Sequence, residues 1–299
     1  MSLPQVRPPV STTGLVYMWN GTTDGQDDGY INTVDGSTNV KSSKEVTMEV
    51  ENVRNLVKPP KVESHGYQLV NFTTSLPSEC FLDAYAPENK KLVEELYFDE
   101  CRRLVQDITG AVEAFPYVYR IRNQSADVTR LADIDFHKDS APIVHVDRDP
   151  ETAPDRLRYS LGSERANALM SKYKRFASIN VWRPIGTKVQ KWPLLLVNHQ
   201  SVVNWDYGTH MGRVHFINDQ RRVGTRGVKS HETVLKFDPG YVYHYASEMA
   251  PDEAWLFYAF HSEPEYAIPH SAFWDKSTSA DAPTRWSIEV RIWVFFEDR

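Results

Sequence analysis

His145 and Asp147 stand two residues apart in IVHVDRDP, Ile143 to Pro150. Apolar Val144 and Val146 alternate with them, so the stretch reads as a strand carrying two polar side chains on one face. An imidazole and a carboxylate so placed can give a metal two adjacent ligands, or can be a hydrogen-bonded pair at a strand end. His270 follows in IPHSAFWD, and Arg285 and Ser287 in TRWSIEVRIWVFF. Two histidines and one carboxylate on one side of a metal, with the other positions open, are the donor set of non-haem iron(II) oxygenases. In those that use 2-oxoglutarate, the far carboxylate of the cosubstrate needs a cation and a hydroxyl donor. Arg-x-Ser on one strand face supplies both, and the planar guanidinium matches a carboxylate through two bonds. His-x-Asp, a later His and then Arg-x-Ser is the order in which that class carries these residues.

Other polar residues compete for these roles. His261 ends the apolar run AWLFYAF and is the rival second histidine, although it lies further from Arg285 than such a ligand usually does. Arg291 shares the strand face of Arg285 and Ser287 and is expected to pair with an acid deeper in the fold. Arg183, in NVWRPI, is either a cosubstrate- or substrate-pocket charge or a strand-end arginine in a salt bridge. His137, His199, His210 and His215 read as surface or supporting residues.

Strands must position these groups. FASINVWRPI, WPLLLVNHQSV, GRVHFIND, ETVLKF, GYVYHYA, AWLFYAFH and RWSIEVRIWVFF are rich in aromatic and β-branched residues, with Gly, Pro, Asp and Asn between them. EVTMEVENV and YQLVNFTT add shorter strands among the turns of the first 86 residues. The apolar spacing over 87–109 predicts a helix that Pro87 starts and Gly110 ends. A second helical stretch runs over about 153–173, interrupted by Gly162. Many strands in succession predict a mainly β fold, an antiparallel sandwich or barrel with helices packed outside.

With 299 residues and no shift in composition, a single domain over 1–299 is expected, with 1–14 a flexible segment. A net charge of -6 without a basic block argues against nucleic acid. No apolar run reaches membrane-span length and no secretory pattern opens the chain, so a cytoplasmic protein without a membrane partner is expected. Cys80 and Cys101 read as free thiols.

The sequence resembles the asaB hydroxylase/desaturase family, which includes CmcJ-like methoxylase subunits. The resemblance runs along most of the chain. It rests on TGAVEAF, VHVDRDPETAPDRL, NVWRPIGTKVQKWPLLL, SEMAPDEAWLFYAFHSEPEYAIPHSAFWD and RWSIEVRIWVFF. It implies an iron(II)/2-oxoglutarate-dependent oxygenase with a double-stranded β-helix (jelly-roll) core. It further implies His145, Asp147 and His270 as iron ligands and Arg285 with Ser287 as the 2-oxoglutarate anchor. Asn198 in PLLLVNHQS and His261 in YAFHSEP depart from the family pattern and put the exact reaction in doubt. The implied substrate is a small specialised metabolite, terpenoid, polyketide- or peptide-derived, oxidised by hydroxylation, desaturation or ring formation. The substrate site is expected beside His145, lined by the turn-rich N-terminal segment and the stretch 204–210. A homo- or heterodimer, a non-catalytic jelly-roll subunit and a cupin-like metalloenzyme without 2-oxoglutarate remain open alternatives.

Overall fold

The structure, a computed structural model, describes residues 9–123, 142–202, 204–217, 231–263 and 265–297. Its strands in chain order are β1 (Ser11–Met18), β2 (Gly29–Asn32), β3 (Lys44–Asn52), β4 (Tyr67–Asn71), β5 (Glu113–Arg122), β6 (His145–Val146), β7 (Arg175–Pro184) and β8 (Leu194–Asn198). They continue as β9 (Met211–Ile217), β10 (His231–Leu235), β11 (Val242–Tyr245), β12 (Glu253–Ser262), β13 (Glu265–Tyr266), β14 (His270–Ala272), β15 (Trp274–Asp275) and β16 (Ser287–Phe296). A large sheet has the order β15-β1-β3-β11-β8-β14-β6-β10-β9-β2. A smaller one has the order β13-β12-β7-β16-β5, with β4 paired to β12. The two sheets form the jelly roll that the family resemblance implies, with the site residues held between them.

β7 and β16 carry the smaller sheet, and nearly every residue of both is buried. Alternation splits their side chains between two environments. Ile179, Val181, Ile288, Val290 and Ile292 face the helices, where they join Val93, Tyr97, Cys101 and Val105 in one apolar cluster. Those four helical residues recur every fourth position, one per turn, which is why this helix lies flat on the sheet. Fully burying a side chain such as Val93 or Val105 stabilises by about 1.5–3 kcal/mol. The other face of β7 and β16 presents Ser178, Asn180, Trp182, Ser287, Glu289 and Arg291 toward the large sheet.

The helix expected over 87–109 forms as Pro87–Leu92, a π turn Val93–Tyr97 and Phe98–Thr109, and Gly110 closes it at φ 70 in the left-handed region. The second helical stretch divides at Gly162 into Ala153–Leu161 and Ser163–Lys172. These two pack Leu157, Leu169 and Ala166 on Trp293 and Phe295.

One expectation needs correction, and one strand was not foreseen. Ser11 to Gly14 are not part of a flexible segment, because β1 pairs with β3 from Ser11↔Glu51 to Met18↔Lys44. β5 was not legible as a strand, since Pro116 and three charged residues interrupt its apolar pattern; it is an edge strand, which tolerates the proline. Cys80 and Cys101 are free thiols, and Cys101 is fully buried. Among the described residues, no helix is long and apolar enough to cross a membrane.

Candidate active site

β6 and β14 are neighbours, and their one paired position is His145 opposite His270. Each imidazole is fixed in the same way. His145 Nδ1–H donates to the Ile143 carbonyl at 2.8 Å, and His270 Nδ1–H donates to the Ile268 carbonyl at 3.0 Å. A carbonyl can only accept, so Nδ1 carries a proton in both rings, and Nε2 is the nitrogen that bears the lone pair in the neutral imidazole. The ring centroids are 4.6 Å apart, and the Phe257 ring lies 4.6 Å from His270. Asp147 follows on the same chain turn, with Oδ2 3.6 Å from His270 Nε2. One donor atom from each of His145, Asp147 and His270 lies within 4.8 Å of the others, so the three can hold a metal ion.

Burial pushes the His270 pKa down to about 4, with His145 adding to the effect against Asp147. The ring is therefore neutral near pH 7, as a ligand must be. Burial would raise the Asp147 carboxyl. Arg291 first, then His270 and His145, reverse this and hold it well below the ordinary carboxylate range. Arg291 Nη2 donates to Asp147 Oδ1 at 2.5 Å, and Asn180 Nδ2 donates to Oδ2 at 2.6 Å. Arg291 Nε in turn donates to Glu289 Oε1 at 2.8 Å. The acid expected for Arg291 is thus two acids, and one of them is Asp147.

Arg285 lies two residues before β16 and is 3% exposed. Its guanidinium sits 5.0 Å over the Trp182 ring, and Nη1 donates to the Trp192 carbonyl. Trp192 adopts φ 57, a left-handed conformation that a bulky side chain rarely takes. That strained residue presents its carbonyl to Arg285. Burial, and then Arg122, push the Arg285 pKa down to about 9, which still leaves a cation at pH 7. Among the described residues, no carboxylate forms an ion pair with Arg285, and Arg285 Nε and Ser287 Oγ are buried without a hydrogen-bond partner. A buried cation and a buried hydroxyl in that state fit the far carboxylate of 2-oxoglutarate.

The structure separates other candidates from this site. Arg183 pairs with Ile288, on the helix side of the smaller sheet. Its Nη1 donates to the Pro251 carbonyl at 2.7 Å, and its guanidinium lies 5.0 Å from the Phe81 ring and 5.4 Å from Tyr97. Reading Arg183 as a cosubstrate residue is therefore corrected, because strand alternation turns Trp182 inward and Arg183 outward. His261 stacks between Tyr266 at 5.2 Å and Phe296 at 5.8 Å, and its Nδ1 accepts from the Glu263 amide. It lines a cavity of about 620 Å³ with His199, Tyr258 and Arg175, away from His145 and Asp147. Trp205 and Tyr207, in the stretch expected to line the substrate site, pack with Val144, Val146, Tyr241 and Tyr243. Val144 and Val146 alternate with His145 and so lie on the strand face opposite it. His210 stacks on Trp205 at 4.9 Å, and His215 pairs with Asp28. His137 lies outside the described residues.

Sequence reasoning passed over Asn180 and Glu289. Both carried a signal: each is a polar residue inside an otherwise apolar strand, in register with residues already suspected. Arg148 and Tyr117 were missed as well. Arg148 donates to the Asp147 carbonyl and, at 3.3 Å, to the Tyr117 hydroxyl, which arrives on the unforeseen β5.

Residues 16–295 match a family model described as "Oxidoreductase/YMDC permease-like domain". "Oxidoreductase R2" of Phoma sp. is 60% identical over 287 residues, covering 96% of this chain and 97% of that protein. "Oxidoreductase clz16" of Cochliobolus lunatus is 59% identical over the same shares. "Hydroxylase/desaturase efuI" of Hormonema carpetanum is 29% identical over 88% of each chain. The solved structure of "iron and alpha-ketoglutarate-dependent endoperoxidase NvfI with different conformation" superposes with a TM-score of 0.80 at 21% identity, covering 98% of this chain and 100% of that one, and so shares its fold. The chain belongs to the oxidoreductase family that this model describes, together with these Phoma and Cochliobolus oxidoreductases.

Proposed function

We propose that this chain oxidises a small specialised-metabolite scaffold, holding iron(II) through His145 Nε2, Asp147 and His270 Nε2 and 2-oxoglutarate through Arg285 and Ser287. The observation that carries this reading is the matched pair of imidazoles. Both have Nδ1 tied to a backbone carbonyl, and both keep Nε2 available beside one ionised carboxylate. Iron(II) bound there with 2-oxoglutarate and dioxygen would supply the oxidising power to break a substrate C–H bond. The protein's own part is to bind, orient and keep dry. Arg285 and Ser287 fix the far end of the cosubstrate, Trp182 walls the guanidinium, and Phe257 shields His270 from water. Asp147 stays ionised without accepting a proton in the cycle, because Arg291 and Asn180 occupy its oxygens with donors.

Hydroxylation, desaturation and oxidative ring formation share this site and differ in how the substrate is held. The endoperoxidase name of the NvfI structure keeps ring formation among them. A terpenoid, polyketide- or peptide-derived substrate, met in the cytoplasm by a single oxygenase domain, completes the reading. Anaerobic titration with iron(II) and then 2-oxoglutarate tests it. A weak visible charge-transfer band at one iron per chain is expected. Iron binding with no band would favour a metalloenzyme that does not use 2-oxoglutarate, and no iron binding would favour a non-catalytic subunit.

A further inference from the structure

Asp147 has two oxygens, and they are held differently. Oδ2 faces the imidazoles, 3.6 Å from His270 Nε2, and takes a neutral donor from Asn180. Oδ1 is taken by the cation of Arg291. Arg291 cannot easily swing away, because its Nε is bonded to Glu289 and its side chain is 4% exposed. Asn180 and Arg291 are directly paired across β7 and β16, and Glu289 lies two residues from Arg291 on the same face. Two neighbouring strands therefore converge on one carboxylate.

The reason for such bracing lies in counting coordination positions. Iron(II) commonly offers six. Two imidazoles and one carboxylate oxygen take three, a chelating 2-oxo acid takes two, and the last must stay open for the reaction to proceed. A carboxylate with both oxygens free can bind a metal through both and fill that position. We infer that Arg291, braced by Glu289, is a positioning residue that holds Asp147 to a single metal-facing oxygen, Oδ2, and so keeps one coordination position open. This rests on the iron reading proposed above.

The test compares wild type, Arg291→Met, Arg291→Lys and Glu289→Gln as full chains. Iron(II) affinity, the visible band of the iron–2-oxoglutarate complex, kcat and KM are measured for each. In Arg291→Met, iron affinity should stay within about tenfold of wild type while kcat falls about 10- to 100-fold. KM for the substrate should hardly move, and the band should shift, because the ligand set around iron has changed. Arg291→Lys should restore part of kcat by returning one cationic donor to Oδ1. Glu289→Gln keeps the acceptor and the shape, and should show a smaller fall in kcat with iron retained. That variant carries the test if Arg291→Met, which leaves two carboxylates buried without their cation, fails to fold. Wild-type kcat and an unshifted band in Glu289→Gln and in any folded Arg291 variant would overturn the inference. So would loss of iron from a folded Arg291 variant, since that is the behaviour of a strut rather than of a guard on one oxygen. A wild-type protein that binds no iron at all would instead end the iron reading itself.

Discussion

His145 and His270 face each other across adjacent strands, and each donates its Nδ1 proton to the carbonyl two residues before it. The repetition comes from backbone geometry. In both segments the acceptor is the carbonyl two residues before the histidine, so the same local bond forms twice. Two rings with the same tautomer thereby present the same atom to one point.

The first prediction concerns that point. His145→Ala, Asp147→Ala and His270→Ala should each lose iron and turnover while keeping the fold, because two remaining donors cannot hold the ion in an open facial geometry. His261→Ala should keep both, since His261 is packed among Tyr266 and Phe296 instead. Iron stoichiometry after desalting checks this. Iron retained by His270→Ala and lost from His261→Ala would refute the ligand assignment.

Arg285→Ala should weaken 2-oxoglutarate far more than iron. Losing a charge-assisted bidentate contact in a dry pocket costs on the order of 2–5 kcal/mol, roughly 30- to several-thousand-fold. Arg285→Lys should recover part of this, because a point charge lacks the fork. Calorimetric titration of the iron-loaded proteins with 2-oxoglutarate is the measurement, and equal affinity in wild type and Arg285→Ala would remove Arg285 from the site.

Arg183→Met separates the two arginine positions. Arg183 touches Pro251, Phe81 and Tyr97 on the helix side. Its loss should cost about 1–3 kcal/mol of stability through one carbonyl bond and two ring contacts. The affinity for 2-oxoglutarate should not change. Denaturant midpoints and the same calorimetry read the two effects, and a stable variant with weakened 2-oxoglutarate binding would contradict the outward placement.

Shortening or exchanging residues 204–210 should act on stability before product profile. Trp205 packs in the cluster behind Val144 and Val146, so its removal opens a cavity there. Replacing a buried aromatic by alanine costs about 3–5 kcal/mol at fully packed sites, and less at a half-buried one such as Trp205. Thermal melts and product analysis of Trp205→Ala check this; an altered product profile at unchanged stability would return the loop to the substrate site.

Acid should destabilise the chain above the range where carboxylates titrate. Burial, aided by His65, pushes both His199 and His244 down to about 4. Between about 4 and the ordinary imidazole value near 6.5, the unfolded chain binds protons that the folded chain refuses, so stability falls as pH falls through that window and levels off below it. Each histidine contributes on the order of 2 kcal/mol to the fall. Melts at pH 7 and pH 4.5 on wild type and His199→Phe measure the slope, and an equal slope in both would exclude His199.

The sequence alone determined the strand-rich architecture, because aromatic and β-branched runs broken by turn residues have few other ways to be satisfied. It also determined the helix over 87–109 and the shared face of His145 and Asp147, whose two-residue spacing assigns it, while the pairing of β14 with β6 brings His270 to them. Tertiary structure alone decided which arginine serves which end. Arg183, Arg285 and Arg291 are chemically identical in the sequence, and a one-residue difference in strand phase sends Arg183 to the helices and Arg291 to Asp147. It decided the bracing of Asp147 by Asn180 and Arg291 as well, since they lie 33 and 144 residues from it along the chain. Periodicity fixes a face within one strand. The partner on that face is set by which strands pair, and in what register, a property of the whole sheet that local pattern does not carry.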